Sequence, residues 1–309
     1  MSIHPGYMGQ ANIGGFTTRF GSASIAAKQT VEIPDLVMGH WDRAAYNFGK
    51  IEISGSISGP ATETFANVSS DPANSIFGWA YDRGNCGGLT AKTVNLYYYC
   101  DATTSNSNSR TFGNVYANAC TFSCAAGDIA QFSVDVIGAE APVWAHTDAV
   151  TPITTTEKLI TWDNVGVTIT SGTGITIATS ALLSNFEFKI ANNVQAVYAM
   201  NRGNIGGIPN GGFFPAAMVP GLRNISGSIS CYDPQTFDGV AGFDTALDSG
   251  STSPWNADTS RATIAFNLGS TVHVSFRVQF HRIEPELGVG PIISSVGFTA
   301  VGVQVQNLS

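Results

Sequence analysis

The sequence predicts a mainly β chain, built as two tandem antiparallel β-sandwich or barrel domains with a short helix in at least the first. Three observations carry that expectation. Apolar and polar residues alternate at a period of two wherever a period is visible, as half-buried antiparallel strands require, and helical stripes are scarce. The hexapeptide Ile-Ser-Gly-Ser-Ile-Ser occurs at 53–58 and again at 225–230. A length of 309 residues suits two domains of about 150, each large enough to bury a core.

The hexapeptides belong to a longer match. Held at the same offset without a gap, 44–65 lies over 216–237, keeping Ala44, Ala45, Gly49, Thr64 and Phe65 as Ala216, Ala217, Gly221, Thr236 and Phe237. A weaker pairing sets 126–136 over 268–278 at a shorter offset. The first copy therefore carries about 30 extra residues, placed within 66–119. The expected domains are 1–155 and 156–309, joined by the Pro/Thr-rich crossing at 141–156.

Along the first copy, strands are expected at Ile51, Ile53, Gly55 and Ile57; at Val94, Leu96, Tyr98 and Cys100; and at Phe132, Val134 and Val136. Within the insert, Asp71 reads as a helix N-cap and Pro72 as the first helical residue, leading into Ile76, Phe77, Ala80 and Tyr81. A hairpin over 91–124 follows, with a polar tip at 102–109. The second copy shows Val165, Val167 and Ile169; Phe186, Phe188 and Ile190; Ile225, Gly227 and Ile229; and Val272 to Phe280. In both hexapeptides a glycine sits between isoleucines on the apolar face. Gly55 and Gly227 leave a notch for a bulky neighbour, with Phe65 and Phe237 as candidate occupants, or for a close backbone; a bulge is the alternative.

Two loops stand out. In the second copy, 201–220 is rich in Gly, Pro and Asn and includes Asn201, Arg202, Ile205, Pro209, Phe213, Phe214 and Pro220. A loop that long in a compact domain points to function or to an interaction arm. Its counterpart in the first copy, 32–48, carries Pro34, His40, Trp41 and Arg43.

Charged residues are only 12%, and the net charge of −8 argues against a surface that grips phosphate backbones. There is no basic leader with an apolar run and no stretch of membrane-spanning length, so no membrane role is expected. Cys86, Cys100, Cys120, Cys124 and Cys231 lack zinc-ligand spacing and read as free thiols, although a bridge from Cys100 to Cys120 or Cys124 stays open.

Chemistry is not indicated. The five histidines are scattered, and there is no nucleophile elbow, phosphate loop or complete dinucleotide fingerprint. Glu284-Pro285-Glu286 is the tightest carboxylate pair and reads as a loop with solvated charges. Neither an enzyme nor a cofactor nor a metal site is expected.

Residues 33–37, with Pro34, and 41–49, with Trp41 and Arg43, are followed in the first copy by the hexapeptide strand, 126–128 and 132–138. In the second copy 159–165, 186–193 and 219–227 carry strand-and-turn signatures of the same kind. On these residues the chain resembles the major tail tube proteins of long-tailed bacteriophages, in the version that fuses two tube domains. The resemblance implies a virion protein whose sheets join edge to edge into rings, trimers with pseudo-six-fold symmetry. The rings would stack into a hollow tube that passes DNA as non-adhering cargo. It implies self-association, contacts with the tape measure, baseplate and terminator proteins, and assembly in the host bacterial cytoplasm. It also implies that an extended loop reaches the adjacent ring, a role carried onto 201–220 and second onto 32–48. The alternatives are a baseplate or tail-terminator ring of the same fold, and a surface or decoration adhesin using loop aromatics such as Trp79, Trp144 and Trp255.

Overall fold

The computed structural model describes residues 10–32, 47–63, 75–82, 88–98, 106–149, 158–171, 182–199, 213–232, 262–269, 272–286 and 293–300. Its strands are β1 (Gln10–Ile13), β2 (Phe16–Arg19), β3 (Ser22–Glu32), β4 (Asn47–Pro60), β5 (Lys92–Tyr97), β6 (Asn106–Ala125), β7 (Gln131–Gly138) and β8 (Val143–Ala149) in the first half. In the second half they are β9 (Val165–Ser171), β10 (Leu182–Ala191), β11 (Gln195–Val197), β12 (Ala217–Val219), β13 (Asn224–Tyr232), β14 (Ala262–Leu268), β15 (Val272–Glu286) and β16 (Ile293–Ala300). One short helix, α1 (Ile76–Tyr81), lies between β4 and β5. The chain is thus mainly β, and the pairings among these strands are antiparallel.

Strand order is the informative feature. Six strands of the first half run β3–β4–β7–β6–β5–β1, and six of the second run β10–β13–β16–β15–β14–β9. The hexapeptide strands, β4 and β13, occupy the second place in each. The weaker sequence pairing had set 126–136 over 268–278, which matches β7 with β15. Place in the sheet matches β7 with β16 instead, since each lies beside its hexapeptide strand. What 126–136 and 268–278 share is local: each strand follows a tight turn whose glycine, Gly127 or Gly269, has positive φ.

The two runs are hydrogen-bonded into one sheet. Its joint is β6, whose first part pairs with β5 on one side and β8 on the other, while its last part pairs with β7 and with β10. Phe186, Phe188 and Ile190 of β10 stand opposite Cys124, Phe122 and Cys120 of β6, and all six side chains are buried.

Gly55 and Gly227 have one physical explanation. A Cβ on Gly55 would fall on the Ser24 carbonyl oxygen and 2.5 Å from the Ile25 Cα of β3. One on Gly227 would fall on the Glu187 carbonyl and 2.9 Å from the Phe188 Cα of β10. The notch in each hexapeptide admits the backbone of the neighbouring strand. Bulges lie elsewhere in these pairs, between Gln29 and Val31 and between Leu183 and Asn185. Phe65 and Phe237 lie outside the described residues.

Helix α1 is capped differently from the sequence expectation. Ser75 is the N-cap, its hydroxyl accepting from the Gly78 amide at 2.8 Å, and Asp71 and Pro72 lie outside the described residues. The cap that forms is the serine directly before the apolar run, a residue type that favours this position. Two other expectations are corrected. Residues 106–109, read as part of a hairpin tip, begin strand β6, and Glu284–Glu286, read as a loop, ends strand β15. In both places backbone pairing with a neighbouring strand overrides polar composition. A second-copy helix sought at 238–261 lies outside the described residues.

The core crosses the joint. Phe77 of α1 packs edge-on against Phe122 and Phe188, and Phe188 continues to Phe266 at 4.9 Å between centroids and Phe276 at 5.7 Å. Near the start of the second half, the Ile160 amide donates to the Ala61 carbonyl, the Glu63 amide to the Lys158 carbonyl, and the Lys158 ammonium reaches buried Glu63 at 2.8 Å. Residues 158–160, just past the crossing, are thus stitched onto the first half.

Candidate functional site

The features that could carry function in such a fold are strand edges and the loops beside them, because alternating strands bury one face and leave backbone donors and acceptors along the rim. Among the described strands, β3 pairs only with β4, and β9 pairs only with β14. On β15, residues 272–278 pair with β14, whereas the stretch from Gln279 to Glu286 has β16 alone beside it. β2 and β8 are likewise paired on one side alone, with β1 and β6, so these are among the rims on which another strand could add.

The β6–β10 joint is an occupied rim of the same kind, and the side chains around it explain its stability. Asn192, at the end of β10 and fully buried, donates through Nδ2 to the carbonyls of Ala80 on α1 and Ala117 on β6. The Val194 amide donates to Oδ1 of Asn118 at 2.8 Å. Arg223 donates to the Tyr81 carbonyl at 3.0 Å and lies over the Tyr81 ring, closing the C-terminal end of α1 with a cation. Two elements of the first half, α1 and β6, therefore hold the end of β10, and Arg223, just before β13, adds a further contact to α1. Sequence reading singled out none of these contacts as a site; the alternation of Phe186, Phe188 and Ile190 was visible, but alternation does not name a partner strand.

The long loop of the second half is described only at its stem. β11 and β12 form a small hairpin, and its flanks dock on β4: the Ile51 amide donates to the Phe213 carbonyl at 2.7 Å and the Tyr198 hydroxyl to the Ile51 carbonyl at 2.9 Å. Phe214 is buried, and Phe213 and Pro220 are half-buried. Of the loop residues singled out by sequence, Asn201, Arg202, Ile205 and Pro209 lie outside the described residues, as do Pro34, His40, Trp41 and Arg43 of the other loop. Ile53, Ile57, Ile225 and Ile229 are buried on the hexapeptide strands.

Electrostatics here are mild. Lys50 pairs with Glu52 at 2.5 Å in the open, and that hydrogen bond raises the ammonium pKa. Burial lifts the Tyr198 phenol above its ordinary value, with the Glu52 carboxylate adding to the effect. Cys120 and Cys124 are free thiols, and burial pushes both up. Such thiols are poor nucleophiles and poor metal ligands. Among the described residues no cluster of His, Cys, Asp and Glu could hold a metal ion, and no helix is long and apolar enough to cross a membrane.

The aromatics that an adhesin would present are differently placed. Trp79 is buried in α1 with its indole N–H donating to the Thr90 carbonyl, so it offers no binding surface. Trp144 is 56% exposed but sits on strand β8, sandwiched by Tyr98 and Arg110. Trp255 lies outside the described residues.

A comparison with curated proteins finds no match. The family model for the phage tail tube protein matches residues 17–300, from β3 to β16 and across the joint between the two halves. With that match the chain belongs to the phage tail tube family and is a structural component of the bacteriophage tail.

Proposed function

We propose that the chain polymerises as stacked rings into the hollow tail tube, each ring a trimer with pseudo-six-fold symmetry. The observation that carries this is the matching strand order of the two halves, which supports reading 1–155 and 156–309 as two copies of one tube domain. Three chains then present six similar units around an axis. Joining them uses the open rims, since a head-to-tail contact between unlike edges forms a closed ring when the rotation fits.

In this reading 201–220 reaches the adjacent ring, with 32–48 as the second arm; the stem docked on β4 through Phe213 and Tyr198 supports the first as an anchored arm. The tube meets tape measure, baseplate and terminator proteins at its axis and ends, after assembly in the host cytoplasm. Few charged side chains and a net charge of −8 suit a lumen through which DNA slides without adhering.

Negative-stain electron microscopy of the purified protein across a concentration series tests this, with chromatography sizing the soluble form. Long hollow tubes with a regular axial repeat are expected. Three-fold rings that never stack would transfer the proposal to a baseplate or terminator role. A monodisperse monomer at every concentration would remove it.

A further inference from the structure

The chain contains one copy of a contact that its own symmetry requires twice. Ile25 faces Gly55 as Phe188 faces Gly227, so β3 corresponds to β10. Val134 faces Ile57 as Val296 faces Ile229, so β7 corresponds to β16. Cys120 faces Val134 as Ile283 faces Val296, so β6 corresponds to β15. The correspondence extends to the neighbour on the other side: β5 covers 109–115 of β6, and β14 covers 272–278 of β15. Beyond that point the halves part. β6 continues as 119–125 against β10, whereas β15 continues to Glu286 with that side open among the described strands, and β3 keeps an open outer side as well.

We propose that β3 of one subunit adds to the open side of β15 of a second copy, in the register that β10 takes on β6 within the chain. Ile190 pairs with Cys120 and Glu187 with Ser123 inside the chain, so Ala27 pairs with Ile283 and Ser24 with Glu286 between chains. This rests on the ring reading above and gives it a specific contact: the step from copy to copy is the same within a chain and between chains.

Composition separates the two versions of the contact in the expected way. The covered stretch, 119–125, has no charged residue, whereas 282–286 reads Arg-Ile-Glu-Pro-Glu and β3 carries Lys28. Charge and proline are what keep an edge from joining wrong partners before the right one arrives. In the inferred register Lys28 stands opposite Arg282, a repulsive pair, but diagonal to Glu284, an attractive one. A register slipped by one residue would turn the face of Ile25, which is buried, away from the core.

Paired cysteines test the register in the full-length chain. Facing residues of antiparallel strands have Cα atoms about 4.5–5.5 Å apart, within disulfide reach. Ala27→Cys/Ile283→Cys and Ser24→Cys/Glu286→Cys are assembled, oxidised and run without reductant, with bridging peptides identified by mass spectrometry. The two pairs are of opposite hydrogen-bonding type, so one remains informative if the other disturbs folding. Covalent dimer and trimer bands are expected from the matched pairs. They should be absent from single variants and from Ala27→Cys/Gln279→Cys, in which the second cysteine is displaced by roughly 13 Å along the strand. If the unmodified protein forms rings but neither matched pair links, or the displaced pair links instead, this contact is wrong while the ring reading stands. If the unmodified protein stays monomeric, the ring reading fails first.

Discussion

Nδ2 of Asn192 donates to the carbonyl of Ala80 at 2.8 Å, so a side chain at the end of a second-half strand closes onto the helix of the first half. The same nitrogen reaches Ala117 at 3.0 Å. Replacing Asn192 with Leu leaves two buried carbonyls without this donor, and each such loss costs about 1–3 kcal/mol. Thermal unfolding of Asn192→Leu should show a clear drop in midpoint, and Asn193→Leu cannot serve as its control because Asn193 has φ of 51°. Asn185→Ala on the exposed face of β10 serves instead and should stay close to the parent.

Gly55→Ala and Gly227→Ala should each damage the protein more than their size suggests. At both positions the added methyl meets backbone, and at Gly227 it meets the buried Phe298 ring as well, at 2.5 Å; backbone can yield only by shifting a strand. Overpacking of this kind costs about 1–3 kcal/mol or more. The expected readout is lower soluble yield and a lower unfolding midpoint for both variants. Ser54→Ala, on the exposed side of the same strand, should be near neutral. Equal tolerance at Gly55 and Ser54 would contradict the close approach of β3 to β4.

Phe122 and Phe188 stack with centroids 5.5 Å apart across the joint. Either one changed to Ala should cost about 3–5 kcal/mol by leaving a cavity. A double-mutant cycle should show that the pair interacts, with a coupling of about 0.5–1.5 kcal/mol. Additive losses in urea unfolding would mean that the rings are merely near each other.

The pH dependence follows from Cys120. Its thiol is raised above the ordinary 9.0 by burial first and by the Asp135 carboxylate second. Above pH 9 the unfolded chain ionises this group while the folded one holds its proton, so stability is intact below that pH and declines as pH rises past it. The slope from one such group is at most about 1.4 kcal/mol per pH unit. Melting curves from pH 8 to 10.5 should show this decline, and Cys120→Ala should make it shallower, leaving what Cys124 and Tyr198 contribute.

How much of this was readable beforehand depends on the range of the interaction. The alternation of Phe132, Val134 and Val136, or of Phe186 and Phe188, announces strands because a half-buried sheet imposes period two locally. The hexapeptide announces two related strands for the same reason. Partner choice is not local. Nothing in Phe188 or Cys120 states that their strands adjoin, and the turn glycines Gly127 and Gly269 drew a correspondence that strand order contradicts. The helix start is a third case: Asp71 followed by Pro72 read as the start, whereas α1 begins at Ile76 behind Ser75, where Ile76 and Phe77 are buried.

The joint at β6 and β10 has a consequence for how the protein behaves on dilution. Its strands belong to one polypeptide, so they meet at a local concentration set by the connecting chain, however little protein is present. An edge such as β3 has no tether to a second molecule, and any contact it makes obeys mass action. Dilution should therefore undo any contact between molecules while leaving β6 and β10 paired, so that a single molecule carries one finished example of the seam proposed between copies.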